Sequence, residues 1–150
     1  MTEIKKRILP GVQKPARYTG GEWGEVQKNK AEVDVRVAFC FPDTYEIGMS
    51  NLGMRILCGV LNEMPNVWCE RVFAPGLDME EKMRENGVPL YTHESGDNVR
   101  DFDMIGITLQ YELCYTTALN MLDLAGLPIR AADRDDSYPI VLAGGPCSYN

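Results

Sequence analysis

The sequence lacks the residue patterns that identify several common kinds of active site. Its 150 residues include a single histidine, His93, which lies in a partly polar segment and is expected at the surface without a catalytic partner. No Ser–His–Asp or Cys–His set is therefore expected. Neither G-x-G-x-x-G nor G-x-x-x-x-G-K-[ST] occurs, which removes the usual phosphate loops of dinucleotide- and nucleotide-binding proteins.

Closely spaced cysteines are also missing. There are five cysteines, but no C-x-x-C or C-x-x-x-C, so neither a zinc knuckle nor an iron–sulfur cluster can be built locally. An odd number at wide spacing indicates free thiols in a reducing compartment. We expect Cys147 to face a crevice and the other four to be small core residues; these are Cys40, Cys58, Cys69 and Cys114.

Positive charge and long apolar runs are scarce. Lys and Arg total 15 against 22 Asp and Glu, a net charge of -7, which argues against nucleic acid as a partner. No apolar run approaches the ~20 residues of a membrane span, and the start, MTEIKKRILPG, is not followed by the apolar stretch of a secretory signal. The expected location is therefore the cytoplasm, with no membrane partner.

Apolar residues make up 45% of the sequence, which is enough to form the core of one domain. Residues 1–33 mix Pro, Gly and charge and are interpreted as an irregular arm, which Tyr18 and Trp23 would pin to a domain of residues 34–150. The expected strands are 35–41, 67–75, 103–110 and 138–145, with 88–94 as a weak extended segment. The expected helices are 50–64, 77–87 and 112–126; the first has Ser50 as its N-cap and Leu57, Val60, Leu61 and Met64 facing inward.

Apolar strands that alternate with helices predict an α/β fold, an open doubly wound parallel sheet of the flavodoxin-like or cobalamin-binding Rossmann-like kind. The final residues, GGPCSYN, follow directly on an apolar strand. A further helix and strand would be expected there, so we interpret the domain as incomplete at its C-terminal end.

The stretch FPDTYEIGMSNLG, residues 41–53, places an acid, a phenol and a glycine in the spacing D-x-Y-x-x-G between a strand and a helix. Ligands of doubly wound sheets lie beyond the carboxyl ends of the strands, where two further polar or glycine-rich stretches also fall. The candidate binding residues are Asp43, Tyr45, Gly48, Thr108, Gln110, Gly144 and Gly145. Each has a structural alternative: an Asx turn with a required glycine, a helix cap, or a tight turn before Pro146.

The three stretches DTYEIG, GITLQ and LAGGP resemble, in order and separation, the stations of cobalamin-binding domains, D-x-H-x-x-G, a G-x-S-type strand end and a later Gly–Gly. A closer resemblance is to the N-terminal domain of an uncharacterised radical S-adenosylmethionine (radical SAM) family. Its residues are similar to the segments KPARYTGGEW, FPDTYEIGMSNLG and VLAGGP. The resemblance covers about residues 8–150. Tyr45 stands where cobalamin domains have the cobalt-ligating histidine, and a phenol of pKa about 10 is not expected to ligate cobalt.

The resemblance implies a domain that positions cobalamin, or a substrate, against a radical SAM domain of the same chain. The 4Fe–4S cluster and S-adenosylmethionine would then lie outside these residues, and no catalysis is expected from this fragment alone. The alternatives are a cofactor-free docking module of the same protein and a nucleotide-binding Rossmann-like domain. The missing phosphate loop disfavours the nucleotide-binding domain.

Overall fold

The computed structural model describes residues 7–149, which form a four-stranded, all-parallel sheet with helices on both faces. The strands lie in the order β2-β1-β3-β4, so the doubly wound α/β class is confirmed. Their bounds are β1 Val35–Phe41, β2 Val67–Phe73, β3 Met104–Thr108 and β4 Ile140–Gly144. The helices are α1 Tyr45–Ser50, α2 Leu52–Glu63, α3 Leu77–Glu85 and α4 Cys114–Leu124.

The helix predicted over 50–64 is α2, which begins two residues later, at Leu52; the loop expected before it contains a separate short helix, α1, and Asn51 lies between the two. Asn51 is extended and its side-chain oxygen accepts a hydrogen bond from the backbone N–H of Met54 at 2.8 Å, which makes it the N-cap of α2 in place of Ser50. The predicted inward stripe was also wrong in phase for three of its four residues; only Leu61 packs against the core. Met54 and Cys58 are buried, whereas Leu57, Val60 and Met64 are about half exposed.

Two apolar clusters hold the layers together, one on each face of the sheet. On the first face, α2 packs Met54 and Cys58 against Val37 and Phe41 of β1. On the second face, α3 and α4 pack against the alternate residues of the same strands, and the larger cluster includes Ala38, Cys40, Val72, Ile105 and Ile107. Alternation along β1 therefore divides its side chains between two cores, as both faces of a parallel sheet require.

The strand β4, expected to be buried only if a further helix and strand cover it, is the exposed edge of the sheet that residues 7–149 form. Ile140 is 61% exposed and Leu142 is 52% exposed, and both point to the face that α2 covers only over β1 and β2. Val141 packs instead against the larger cluster on the opposite face. The sheet therefore leaves an apolar strip open beside α2.

The N-terminal arm, in its described part from residue 7, has α-helical residues at 7–8 and then short 3-10 helices among irregular backbone. Tyr18 does fix it, since its hydroxyl accepts a hydrogen bond from the Gly76 N–H at 3.0 Å. Trp23 is fully exposed and fixes nothing, and His93, expected at the surface, is buried. The segment 88–94 forms no strand and makes one isolated bridge, between Tyr91 and Asn98. No helix within residues 7–149 is long and apolar enough to cross a membrane.

Candidate functional site

The strand order places the topological switch point between β1 and β3, and the loops that follow these strands are joined there. The Tyr111 hydroxyl, after β3, donates a hydrogen bond to Oδ2 of Asp43, after β1. The other carboxylate oxygen, Oδ1, accepts from the Thr44 N–H at 2.7 Å. The bond to Asp43 raises the pKa of Tyr111 to about 12, so the phenol remains a donor at neutral pH. Asp43 therefore ties the two loops together.

Beside this point lies an open groove of about 390 Å³ between α2 and the exposed strip of the sheet. Four of the candidate residues border it: Thr108, Gln110, Gly144 and Gly145. Its floor and walls are mainly apolar and comprise Val37, Phe39, Leu57, Leu61, Met104, Ile107 and Leu142. A concave apolar surface with a few polar groups at one end is the usual form of a small-molecule site.

The polar end of the groove is formed by two side chains at the end of β3. Gln110 Nε2 donates a hydrogen bond to Oγ1 of Thr108, which is itself buried. An amide and a hydroxyl held together in this way present both donors and acceptors to a bound molecule. We therefore call the site formed by Thr108, Gln110, Gly144 and the apolar walls the sheet groove.

The two glycines at the end of β4 have different structural roles. A Cβ added to Gly144 would meet no heavy atom within 4 Å, so this residue faces open space in the sheet groove. Gly145 has φ +109°, and a Cβ there would lie 2.6 Å from the carbonyl oxygen of Leu109. Gly145 is therefore required by the junction of the β3 and β4 loops, and a larger side chain at that position would distort the loop.

The other two candidates, Tyr45 and Gly48, face β2 and not the sheet groove. The Tyr45 ring packs edge-on against Phe73 at a centroid distance of 5.4 Å and beside His93 at 5.2 Å. Gly48 lies directly on the Phe73 ring, which occupies the space that a Cβ would need, and the Phe41 ring lies 3.3 Å from the same position. Within the D-x-Y-x-x-G loop the glycine thus allows α1 to pack closely on the strand ends.

The Tyr45 hydroxyl belongs to a polar cluster that the arm completes. It donates to Oε1 of Glu22 at 2.9 Å, and the same carboxylate contacts His93 Nε2 and accepts from Arg71 at 3.1 Å. Arg71 also pairs with the buried carboxylate of Glu94. Burial and the bond to Glu22 raise the pKa of Tyr45 to about 12. The phenol is therefore protonated at neutral pH and already has a partner.

Sequence analysis did not find Tyr111, Glu22 or the apolar walls of the sheet groove. Tyr111 carries a weak signal, since it directly follows Gln110 at the end of β3. Glu22 lies 71 residues from His93 and 49 residues from Arg71 in the chain, and nothing in its own neighbourhood indicates these contacts. Among residues 7–149, no group of three or more His, Cys, Asp or Glu side chains is arranged to hold a metal ion.

Comparison with known proteins gives two findings. The profile of a family described as radical SAM proteins, N-terminal, matches residues 53–150. The chain is also similar to the uncharacterized protein MJ0966 of Methanocaldococcus jannaschii, with 29% identity over 111 residues that cover 74% of this chain. The chain spans about a fifth of that relative's length, 19%. No solved structure matches it significantly.

Proposed function

This chain belongs to the family of N-terminal regions of radical SAM proteins, and we propose that it holds cobalamin for a radical SAM enzyme, above the carboxyl ends of its strands. In this proposal a further domain of the same protein is its partner, and that domain holds the 4Fe–4S cluster and S-adenosylmethionine. The domain itself positions a cofactor or substrate and performs no step of its own.

The observation that carries the proposal is the sheet groove at the switch point. Gly144 leaves open space directly above the end of β4, and apolar residues of β1, α2 and β4 form the walls. A flat, largely apolar group is suited to such a surface, and Thr108 and Gln110 offer hydrogen bonds at its rim. With about 390 Å³, the groove would take one flat part of cobalamin, and the remainder would lie over the strand ends.

The residues fit the organic part of the cofactor better than they fit its metal. Tyr45 faces β2, its hydroxyl is bound to Glu22, and its pKa of about 12 keeps the proton on the phenol. In the proposal, cobalt therefore has no protein ligand from this loop, and Asp43 acts through Tyr111 to hold the β1 and β3 loops in register. When bound, cobalamin would supply methyl- or radical-transfer chemistry.

Titration of the full-length protein with hydroxocobalamin tests the proposal. We expect binding by equilibrium dialysis, and a visible spectrum of the bound corrin that Tyr45→Phe leaves unchanged. Gly144→Leu should weaken binding about tenfold or more, which corresponds to about 1.4 kcal/mol, because the side chain enters the sheet groove.

Gly59→Leu is the matched control, since Gly59 is an exposed residue of α2 outside the sheet groove, and a Cβ there also meets nothing within 4 Å. It should bind as the wild type does. Absence of binding by the wild-type protein, or equal affinity of the wild type and Gly144→Leu, would contradict the proposal.

A docking module is the second candidate function, and the exposure of apolar side chains favours it. Ile140 and Leu142 on β4 and Leu57 on α2 are each at least half exposed, and a contiguous apolar surface of this kind often marks a protein contact. In this case the wild-type protein binds no corrin, and Leu142→Asp in the full-length protein speeds the proteolytic release of this domain. A wild-type protein that binds corrin would favour the first candidate.

A further inference from the structure

A second cavity, of about 210 Å³, lies on the other side of α2 from the sheet groove, between that helix, β2 and the arm. Two cysteines line it, Cys58 from α2 and Cys69 from β2, together with Arg55, Asn62, Arg71 and Glu94. We call it the dithiol cavity. None of its residues has a part in the function proposed above, so the chemistry of the thiol pair is a separate question.

The two thiols are in direct contact. The Cys69 thiol donates a hydrogen bond to Sγ of Cys58, and the sulfur atoms are 3.5 Å apart. Both residues are free cysteines, and both are buried. A disulfide bond is about 2.05 Å long, so the sulfur atoms need to approach by only about 1.5 Å to form one.

The side chain of Asn62 fixes this approach from the helix side. Its amide donates to the Cys69 carbonyl at 2.9 Å, and its oxygen accepts from the Cys69 N–H at 2.9 Å. One turn of α2 is therefore clamped to the β2 backbone at the level of the thiols. The pair is held by a dedicated contact and does not result from loose packing of two small core residues.

We propose that Cys58 and Cys69 are a redox-active pair that a peroxide converts to a disulfide bond between α2 and β2. Cys58 accepts the hydrogen bond from Cys69, so the two sulfur atoms already face each other, and the cavity beside them is wide enough to admit a molecule the size of a peroxide. The hydrogen bond and burial raise the pKa of the Cys69 thiol, which therefore keeps its proton until the second step.

The oxidation proceeds in two balanced steps. The Cys58 thiolate attacks one oxygen of hydrogen peroxide, the O–O bond breaks, hydroxide leaves, and Cys58 becomes a sulfenic acid. The Cys69 sulfur then attacks the Cys58 sulfur; the S–O bond breaks, the S–S bond forms, and the oxygen leaves as water with the Cys69 proton. In total, one peroxide is reduced to two waters and two thiols lose two electrons.

The bond would act on both sides of α2. Leu57 and Leu61 of this helix line the sheet groove, and Cys58 lies between them in the chain. Drawing Cys58 toward β2 moves the same turn that carries Leu57. Oxidation of the dithiol cavity is thus expected to change the width of the sheet groove, whatever ligand or partner occupies it.

Peptide mapping of the full-length protein tests the pair without reference to its activity. After mild peroxide treatment and alkylation, trypsin releases residues 56–71, which contain both cysteines, and a second cleavage after Glu63 separates them. We expect Cys58 and Cys69 to become unavailable to the alkylating reagent together. The two halves of the cleaved peptide should stay joined by the disulfide bond until a reductant is added. Cys40, a buried thiol directed at the Ala38 carbonyl, is the internal control and should remain alkylated.

Cys69→Ala provides the matched variant. Without its partner, Cys58 should accumulate as a sulfenic acid that dimedone traps. If this variant fails to fold, phenylarsine oxide, which binds two neighbouring thiols at once, should protect both cysteines of the wild-type protein from alkylation. Oxidation of Cys58 and Cys69 one at a time without a joined peptide, or oxidation no faster than that of Cys40, would overturn the proposal.

Discussion

Replacement of Gly48 by alanine should destabilise the protein, although alanine is the better helix former. Gly48 lies within α1, and its missing side chain leaves the space that the Phe73 ring fills. Glycine to alanine in a helix gains up to about 1 kcal/mol of free energy of unfolding from propensity. Forcing a methyl group into a packed contact costs about 1–3 kcal/mol. The net expectation is a loss of about 0–2 kcal/mol.

The packing around Phe73 is the reason that the ring cannot simply turn aside. Tyr45 meets it edge-on at 5.4 Å and His93 at 5.7 Å, with interplanar angles of 80° and 84°. A rotation of Phe73 that relieved the new methyl group would disturb both of these contacts. The strain should therefore appear as lost stability and not as a local adjustment.

Urea unfolding followed by the fluorescence of the buried Trp68 is a suitable assay, with Gly59→Ala as the matched control. Gly59 is also helical but has open space at its Cβ position, so alanine should stabilise the protein by about 1 kcal/mol. The difference between the two variants isolates the packing cost, about 1–3 kcal/mol. In a Phe73→Leu background the cost should fall. Equal stabilisation by Gly48→Ala and Gly59→Ala would refute the argument.

Two further predictions concern the pH dependence of stability in the cluster behind Tyr45. Burial alone would raise the pKa of Glu22, but its contacts with His93, Tyr45 and Arg71 outweigh burial and lower that pKa below 4.5. Ionised Glu22 therefore stabilises the fold above pH 4.5, and this stabilisation is lost as the pH falls. Glu22→Gln should therefore flatten the acid side of a melting-temperature profile, and an unchanged acid limb would count against the cluster. Burial raises the pKa of Glu94 from 4.5 to about 7 despite its pairing with Arg71, so the native state binds this proton more tightly and stability should fall as the pH rises from 4.5 to 7. Glu94→Gln should remove that fall, and a fall of the same size in the variant would show that another group causes it.

The sequence was sufficient to predict the fold class because all four strands and the three longer helices have a local signal. The run VRVAFCF is apolar except for Arg36 and is a strand at the residues expected, Val35–Phe41. Met79 and Met83 are four residues apart on α3 and both are buried in the core, and Gly87 and Gly126 have positive φ just beyond the ends of α3 and α4. These features depend on the periodicity and backbone preferences of neighbouring residues, which can be read from one sequence.

The position of an element within the sheet is not a local property, and predictions that depended on it were wrong. The stretch YPIVLAGG is as apolar as a central strand, and within residues 7–149 it has a neighbouring strand on one side only, so that β4 is exposed there. Whether a strand has neighbours on both sides depends on the order of all the strands. The predicted phase of α2 was wrong for a related reason: Leu57 is spaced like a core residue, but the apolar strip beside it is left open.

Buried polar contacts were the least predictable feature, because their partners are distant in the chain. The acidic residue next to His93 in the chain, Glu94, pairs with Arg71. The carboxylate that contacts His93 belongs to Glu22, which comes from the irregular arm. A single histidine in a polar segment is reasonably expected at the surface. Only the docking of the arm brings a carboxylate to the ring and allows its burial.

The D-x-Y-x-x-G loop combines, within a few residues, a local signal that the sequence shows and contacts with distant residues that it does not show. Its spacing correctly indicates a tight connection between a strand and a helix, but the three residues do not converge on one ligand. Asp43 is directed to the β3 loop and Tyr111, whereas Tyr45 and Gly48 are directed to Phe73 at the end of β2. Since β2 and β3 flank β1 on opposite sides, one short loop secures both neighbours of the central strand. A ligand at the switch point would therefore meet a rigid edge, and its specificity would have to come from the sheet groove.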